Sequence, residues 1–278
     1  MIILLFFVLG LVLGYVLLPF LKDLAEKARF KRLNYRGDPI PMGMGLLFFI
    51  VPALSFAITY LLVDARKFQI FVVVFLLVSA TMCLLGLIDD VFGSRAASGI
   101  KGHFRCLFKG ELTTGALKAL GGLVIAFLAA VSTAPLREVF LNTLIIALAA
   151  NTLNLLDLRP GRAGKGFLLG AGLLAAAAWG NNLLIFLAVV TGTLLVYLPA
   201  DLRAQAMMGD AGSNVLGATL GLTAVWVLDV PTRVVVLLAL VVFHLFTEHY
   251  SLTEVIAKNR VLHFIDRIGR RREEFDDR

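Results

Sequence analysis

Long apolar runs alternate with polar connections along almost the whole chain. A helix needs about 20 mostly apolar residues to cross a bilayer, and nine runs approach or reach that length. They are Met1–Leu21, Met42–Val63, Phe68–Ile88, Thr114–Ser132, Val139–Leu156, Gly166–Trp179, Leu183–Leu198, Val215–Leu228 and Val234–His249. The sixth and eighth runs are short. This pattern predicts an all-α, polytopic integral membrane protein with about nine transmembrane helices.

Lysine and arginine are distributed unevenly between the connections. If the nine runs cross the membrane in turn, 22 of the 26 basic residues fall on one side and 4 on the other. Because basic residues concentrate in cytoplasmic loops, this alternation predicts an outside N-terminus and a cytoplasmic C-terminus. The first run has no preceding basic residue and no small-residue cleavage site after it. We therefore expect a retained helix and not a cleaved signal peptide.

The composition agrees with a membrane protein. Hydrophobic residues make up 59% of the 278 residues and charged residues 16%, whereas soluble domains average roughly 45–50% and about 25%. A soluble enzyme, a disordered chain and a secreted disulfide scaffold are poor fits. The net charge of +7 is typical of cytoplasmic loops, so no nucleic acid partner is expected. Cys83 and Cys106 are expected to be free thiols.

The chain divides into two predicted regions. Residues 1–250 are predicted to form a transmembrane catalytic domain, and residues 251–278 a basic, amphipathic cytoplasmic tail. Apolar residues of the tail follow a rough stripe that suits a helix lying on the cytoplasmic leaflet. The chain has no internal sequence repeat, so a transporter built from inverted repeats gains no support.

Two adjacent acids, Asp89 and Asp90, end the third run. Acids in spanning helices cost roughly 2.5–3.5 kcal/mol at the helix centre, and adjacent carboxylates repel each other. A divalent metal or a basic phosphate site would relieve this repulsion. The alternative is a solvated helix end.

A second polar group, Asn151, Asn154 and Asp157, ends the fifth run. The spacing places these side chains on one helical face. Amide and carboxylate oxygens are ligands of hard cations, and hydrogen bonding between helices is the alternative interpretation.

A third group, Met208–Asn214, has a single acid, Asp210, among small residues. Small residues let the backbone approach a ligand closely, although an ordinary helix cap would have similar residues. The three groups fall at one depth on the cytoplasmic side, and their oxygen-only ligands favour Mg²⁺ or Mn²⁺. Metal and nearby basic loops together suit a phosphorylated substrate.

These three groups, in this order and spacing, resemble the polyprenyl-phosphate N-acetylhexosamine-1-phosphate transferases. The segment Asn34–Gly45 is similar to the Pro/Gly-rich entry to that family's second helix, and Gly212–Gly221 is similar to its eighth-helix pattern. The resemblance implies transfer of a sugar-1-phosphate from a UDP-sugar to polyprenyl (undecaprenyl) phosphate, with release of UMP. It also implies a prokaryotic plasma membrane, a cytoplasmic active site and a role in cell-envelope glycan synthesis, such as that of peptidoglycan.

The resemblance also implies roles for individual residues. Asp210 would ligate Mg²⁺ with Asn154, and Asp89 and Asp90 would lie at the reacting phosphates as catalytic residues together with Asp210. The residues expected to bind substrate are Asn151, Asp157, Lys101, Arg105, Lys118, Lys165 and His263.

The sequence departs from the family's pattern in two segments. After Asp157 the usual Gly-x-Asp-Gly run is replaced by the basic run Leu158–Gly166, and the family's His-rich motif is reduced to His263. A divergent, non-catalytic protein that binds or transports lipid phosphates is therefore the alternative hypothesis. Gly217 and Gly221 have a spacing that favours helix packing within the chain, and a homodimer stays open.

Overall fold

The computed structural model describes residues 1–62, 68–93 and 113–270, and most of them are helical. The long helices are α1 (Ile2–Lys27), α2 (Leu47–Leu62), α3 (Gln69–Phe92), α4 (Thr114–Thr133), α5 (Val139–Leu156), α6 (Arg162–Ala177), α7 (Leu184–Leu202), α8 (Gly209–Val227) and α9 (Val230–His249). Two short helices follow, α10 (Leu252–Lys258) and α11 (Arg260–Arg267). Each predicted apolar run corresponds to one of the long helices.

Among the residues that the structure describes, six helices are long and apolar enough to cross a membrane. They are α1, α3, α4, α5 with the short 3-10 turn before it, α7 and α9. The chain is thus a helical, multi-span membrane protein by length and composition, as predicted. The other three runs correspond to α2 and α6, which are shorter, and to α8, which begins with a polar segment. Nine crossings and the orientation stay predictions.

A small β-hairpin departs from the all-α prediction. Strands β1 (Lys31–Leu33) and β2 (Pro39–Pro41) pair antiparallel, with Lys31 opposite Pro41. Asn34 closes the turn, because its side-chain oxygen accepts hydrogen bonds from the backbone N–H groups of Arg36 and Asp38. The hairpin joins α1 to the 3-10 turn that precedes α2.

Helix α8 is the most deeply buried of the long helices, and glycines let its neighbours approach closely. A Cβ atom at Gly217 would lie 2.2 Å from the carbonyl oxygen of Ala149 on α5, and one at Gly221 would lie 2.7 Å from Ile146 Cα. These contacts confirm the prediction that the Gly217–Gly221 pair packs helices within the chain.

Helix α9 is attached to the bundle by a buried arginine. The Arg233 guanidinium donates to Asn142 Oδ1 at 2.7 Å and to Glu138 Oε2 at 2.8 Å. Most of the remaining surface of α9 is apolar and exposed. This outward face suits a helix surrounded by lipid.

The tail begins with two helices and not one. Asn259 separates α10 from α11, and its side-chain oxygen accepts hydrogen bonds from the backbone N–H groups of Val261 and Leu262. This is an ordinary N-cap, and it gives α11 its own axis.

Candidate active site

Asp90 caps the N-terminus of α8. Its two carboxylate oxygens accept hydrogen bonds from the backbone N–H groups of Asp210, at 2.9 Å, and Ala211, at 3.1 Å. The side chain is buried, and a carboxylate is favoured at the positive end of the helix dipole. Asp90 therefore fixes the place of Asp210, which lies in the first turn of α8.

Glycines allow this close junction between α3 and α8. Gly209 has φ +67, and a Cβ atom there would lie 2.4 Å from Asp90 Oδ2. A Cβ atom at Gly86, one turn before Asp90, would lie 2.4 Å from the backbone of Asp210. The left-handed φ at Gly209 is one that glycine adopts without strain.

Lys118 joins the two other acids. Its ammonium group donates to Asp89 Oδ2 at 2.9 Å and also to Asp210 Oδ2. Lys118 lies near the start of α4. The sequence predicted it only as a substrate ligand, whereas in the structure it connects Asp89 on α3 with Asp210 on α8. All three side chains keep some solvent exposure, between 18% and 28%.

Asn154 completes this group from α5. Its side-chain amide donates to Ser213 Oγ at 3.3 Å, and it also lies within hydrogen-bonding reach of Asp210. Asp89, Asp90, Asp210, Asn154 and Lys118 are thus brought together by α3, α4, α5 and α8, as expected for residues at one depth.

Asp157 lies just beyond the end of α5 and near a further acid, Asp201. Burial, followed by the negative charge of Asp201, raises the pKa of Asp157 well above its usual range. The carboxylate of Asp201, in the last turn of α7, accepts a hydrogen bond from Gly161 N at 2.9 Å. Asp201 is not among the residues predicted from the sequence, where its one signal is an acid shortly after a predicted helix.

The hairpin lies against both acidic segments. Arg32 donates to the backbone carbonyl of Asp90, and the guanidinium carbon of Arg159 lies 4.7 Å from the centre of the Tyr35 ring. Cation–π contacts of this kind contribute about 0.5–1 kcal/mol at exposed sites. The backbone N–H of Met207 also donates to Pro41 O at 2.9 Å, just before α8.

The basic run after Asp157 contacts the tail. Arg162 makes two hydrogen bonds to the Asp266 carboxylate, at 2.9 and 3.0 Å. Lys165 Nζ donates to the carbonyl oxygens of Ile265 and Asp266. Burial alone would raise the pKa of Asp266, but the bonds from Arg162 hold it below its usual range. Lys165, predicted to bind substrate, is therefore directed at α11.

The other predicted substrate ligands lie elsewhere. Asn151 is exposed, about one turn before Asn154, and His263 lies on α11, where its ring nitrogen is 3.4 Å from an Arg267 nitrogen. Lys101 and Arg105 lie outside the described residues, as does Cys106. Cys83 is a buried free thiol, as expected.

The acids and the amide form a small oxygen-rich group. Within the described residues, no three His, Cys, Asp or Glu side chains are arranged to hold a metal by themselves. The Lys118 ammonium nevertheless lies between the carboxylates of Asp89 and Asp210, and the amide of Asn154 lies within hydrogen-bonding reach of Asp210. Mg²⁺ is commonly held by one or two carboxylates, with waters and substrate phosphates as its remaining ligands.

Comparison with known proteins identifies one family. A family model described as Glycosyl transferase family 4 matches residues 71–228, more than half of the chain. The match begins two residues into α3 and extends through α8, and it therefore includes all five residues of the acid and lysine group. It supports a polyprenyl-phosphate sugar-phosphate transferase activity in general. No curated protein matches the chain.

Proposed function

We propose, since the chain belongs to glycosyl transferase family 4, that it transfers a sugar-1-phosphate from a UDP-sugar to undecaprenyl phosphate or a similar polyprenyl phosphate. The favoured group is an N-acetylhexosamine-1-phosphate, and the product is a lipid-linked precursor of a cell-envelope glycan. The observation that carries the proposal is the Lys118 ammonium between Asp89 and Asp210, at the ends of helices in a membrane protein.

The reaction exchanges one phosphoanhydride bond for another. An oxygen of the acceptor phosphate forms a bond to the phosphorus that carries the sugar. The bond from that phosphorus to the bridging oxygen breaks, and UMP leaves with this oxygen and its electron pair. Such a transfer depends mainly on positioning and on neutralising the charge of the phosphates.

The chain's own residues supply both needs. The Lys118 ammonium neutralises phosphate oxygens that approach Asp89 and Asp210. Asp89 accepts the proton of an acceptor phosphate that arrives singly ionised. Asp90 is not assigned this role as proton acceptor, because both of its carboxylate oxygens accept hydrogen bonds from the α8 backbone.

A divalent cation fits this donor set. Carboxylate and amide oxygens from Asp210 and Asn154 would hold Mg²⁺ or Mn²⁺. When bound, such an ion neutralises negative charge on the donor diphosphate and on the leaving UMP.

The two proposed substrates come from different phases, the membrane and the aqueous solution. A site at the ends of the helices, near the membrane surface, is accessible to both. A polyprenyl phosphate holds its headgroup at the membrane surface, whereas a UDP-sugar is water-soluble. The predicted excess of basic residues on one side supports a cytoplasmic site, and the plasma membrane is what the family resemblance implies. Asp157 and Arg159, beside the hairpin, are the candidates for contact with the nucleotide.

Release of UMP tests this proposal. Purified protein in detergent is incubated with undecaprenyl phosphate and each of several UDP-sugars, with Mg²⁺ or with a chelator. We expect UMP from at least one donor, only with the metal present. We expect K118M to abolish release, and K165M, whose lysine is directed at the tail, to retain most of it.

The alternative function is binding or transport of a lipid phosphate without catalysis. The observation that favours it is the basic run at Arg162 and Lys165, which stands where the family has a second acid and which contacts the tail. The absence of UMP from every donor, together with lipid-phosphate binding by the folded protein, would favour this alternative.

A further inference from the structure

Helix α11 is attached to the protein through its polar side. Asp266 is buried and accepts hydrogen bonds from Arg162 and, at 2.9 Å, from Arg270. Arg162 also donates to Thr253 on α10 at 3.2 Å, and Arg270 donates to the carbonyl oxygen of Pro160 at 2.9 Å. These contacts fix which side of α11 faces the helical bundle.

The opposite side of α11 is an exposed apolar stripe. The stripe consists of Val261, Phe264, Ile265 and Ile268, which are 66%, 68%, 47% and 51% exposed. Their spacing of three and four residues places them on one face. A helix of a soluble domain would place such a face against the core, so in α11 the usual arrangement is reversed.

The position of the stripe and the cationic side chains next to it favour lipid as the surface that the stripe contacts. α11 begins 11 residues after the end of α9, a helix long and apolar enough to cross a membrane. With 8 residues, α11 itself is too short to span. Exposed cationic side chains, Lys258 and Arg260, precede the stripe, and such groups are attracted to anionic lipid headgroups.

We propose that α11 lies on an anionic bilayer surface, with the apolar stripe at the boundary between headgroups and acyl chains. Burial of the stripe supplies most of the attachment, and the cations add selectivity for anionic lipid. Because Arg162 and Arg270 connect α11 to the loop after Asp157, the lipid surface contacts an element that is fixed to the candidate site. The proposal does not depend on the transferase activity.

A fluorescent probe on the stripe tests this contact. Full-length protein with C106S and F264C, labelled with an environment-sensitive dye, is reconstituted into phosphatidylcholine vesicles with or without phosphatidylglycerol. Cys83 is buried and should not label. The control is E254C, an exposed position on α10. We expect lipid-borne quenchers to quench the dye at 264, and aqueous iodide to quench it at 254.

The charge contribution has its own variant. A basic residue near an anionic surface contributes about 1 kcal/mol, which is about fivefold in an equilibrium. In vesicles with phosphatidylglycerol, R260Q should therefore lower the ratio of membrane-bound to unbound α11 about fivefold. In phosphatidylcholine alone, R260Q should have little effect.

Two results would overturn the proposal. Quenching at 264 by iodide and not by lipid-borne quenchers would mean that the stripe faces water. Protection from both quenchers, with energy transfer between labelled copies, would mean that a second copy of the chain covers it. V261C provides a second probe position on the stripe if F264C does not give monodisperse protein.

Discussion

At the scale of single residues, neighbouring acids have different roles. Asp89 and Asp90 are adjacent in sequence, but successive residues on a helix point about 100° apart. Asp89 therefore faces Lys118, and Asp90 faces the first N–H groups of α8. The sequence predicted that this pair lies near Asp210. It did not predict which acid is the cap, because that depends on how α3 and α8 cross.

Replacing Asp90 should cost stability as well as activity. In D90A, a partly buried and a buried backbone N–H group lose their acceptor, at a cost of about 1–3 kcal/mol for each group left unsatisfied. D89N is the control, because it weakens a partly exposed ion pair that contributes about 0–1 kcal/mol. We expect thermal unfolding in detergent to show a clear loss for D90A only. A D90A protein as stable as the wild type would contradict the cap assignment.

At the scale of helices and strands, close packing was easier to predict than local exceptions. The Gly217–Gly221 spacing predicted contact within the chain, since small residues let backbones approach. The hairpin was not predicted, because its strands have only three residues each and show no alternating pattern. The tail was predicted to be amphipathic, but the attachment of its polar side depends on Arg162, which is distant in sequence.

The packing of α8 on α5 predicts a position-dependent effect of alanine. In G217A, the new Cβ atom would meet the Ala149 carbonyl oxygen at 2.2 Å, and overpacking of this kind costs about 1–3 kcal/mol. At Gly172 on α6 a Cβ atom would meet nothing within 4 Å, so G172A should not destabilise. Unfolding in detergent compares the two, and equal stabilities would contradict the close contact.

The attachment of α11 predicts a local effect of removing charge. In D266N, the two bonds from Arg162 lose their anionic acceptor, and hydrogen bonds to charged groups contribute about 1.5–3 kcal/mol. We expect limited proteolysis to cleave the tail faster in D266N than in the wild type. The matched control is E254Q, which removes the charge of an exposed acid on α10. Equal cleavage of the tail in D266N and E254Q would argue against the Asp266 attachment.

At the scale of the whole molecule, charge distribution predicts how the bundle lies in the membrane. If the nine predicted crossings are taken in turn, the 22 to 4 division of basic residues predicts that alternate connections lie on opposite sides and that the acid and lysine group faces the cytoplasm. The sequence therefore supplied the general architecture. Asp201 could not be predicted from the sequence. A single acid near a helix end has no surrounding pattern that distinguishes a buried, hydrogen-bonded side chain from one exposed to water.

Thiol labelling in intact cells tests this orientation. Asp229, before α9, and Arg203, after α7, are both exposed and are predicted to lie on opposite sides. In a C106S background, a membrane-impermeant maleimide should label D229C in intact cells and R203C only after permeabilisation. Labelling of R203C in intact cells would reverse the proposed orientation.

The central claim is that a sugar-1-phosphate, and not the sugar alone, moves to the lipid. A UDP-sugar donor with a radioactive label in the phosphate next to the sugar, chosen as one that releases UMP, tests this claim most directly. Incubated with undecaprenyl phosphate and Mg²⁺, the wild-type protein should move the label into the lipid phase, and D210N, folded as well as the wild type, should not. Label that stays in the aqueous phase as UDP while the sugar enters the lipid would contradict the account.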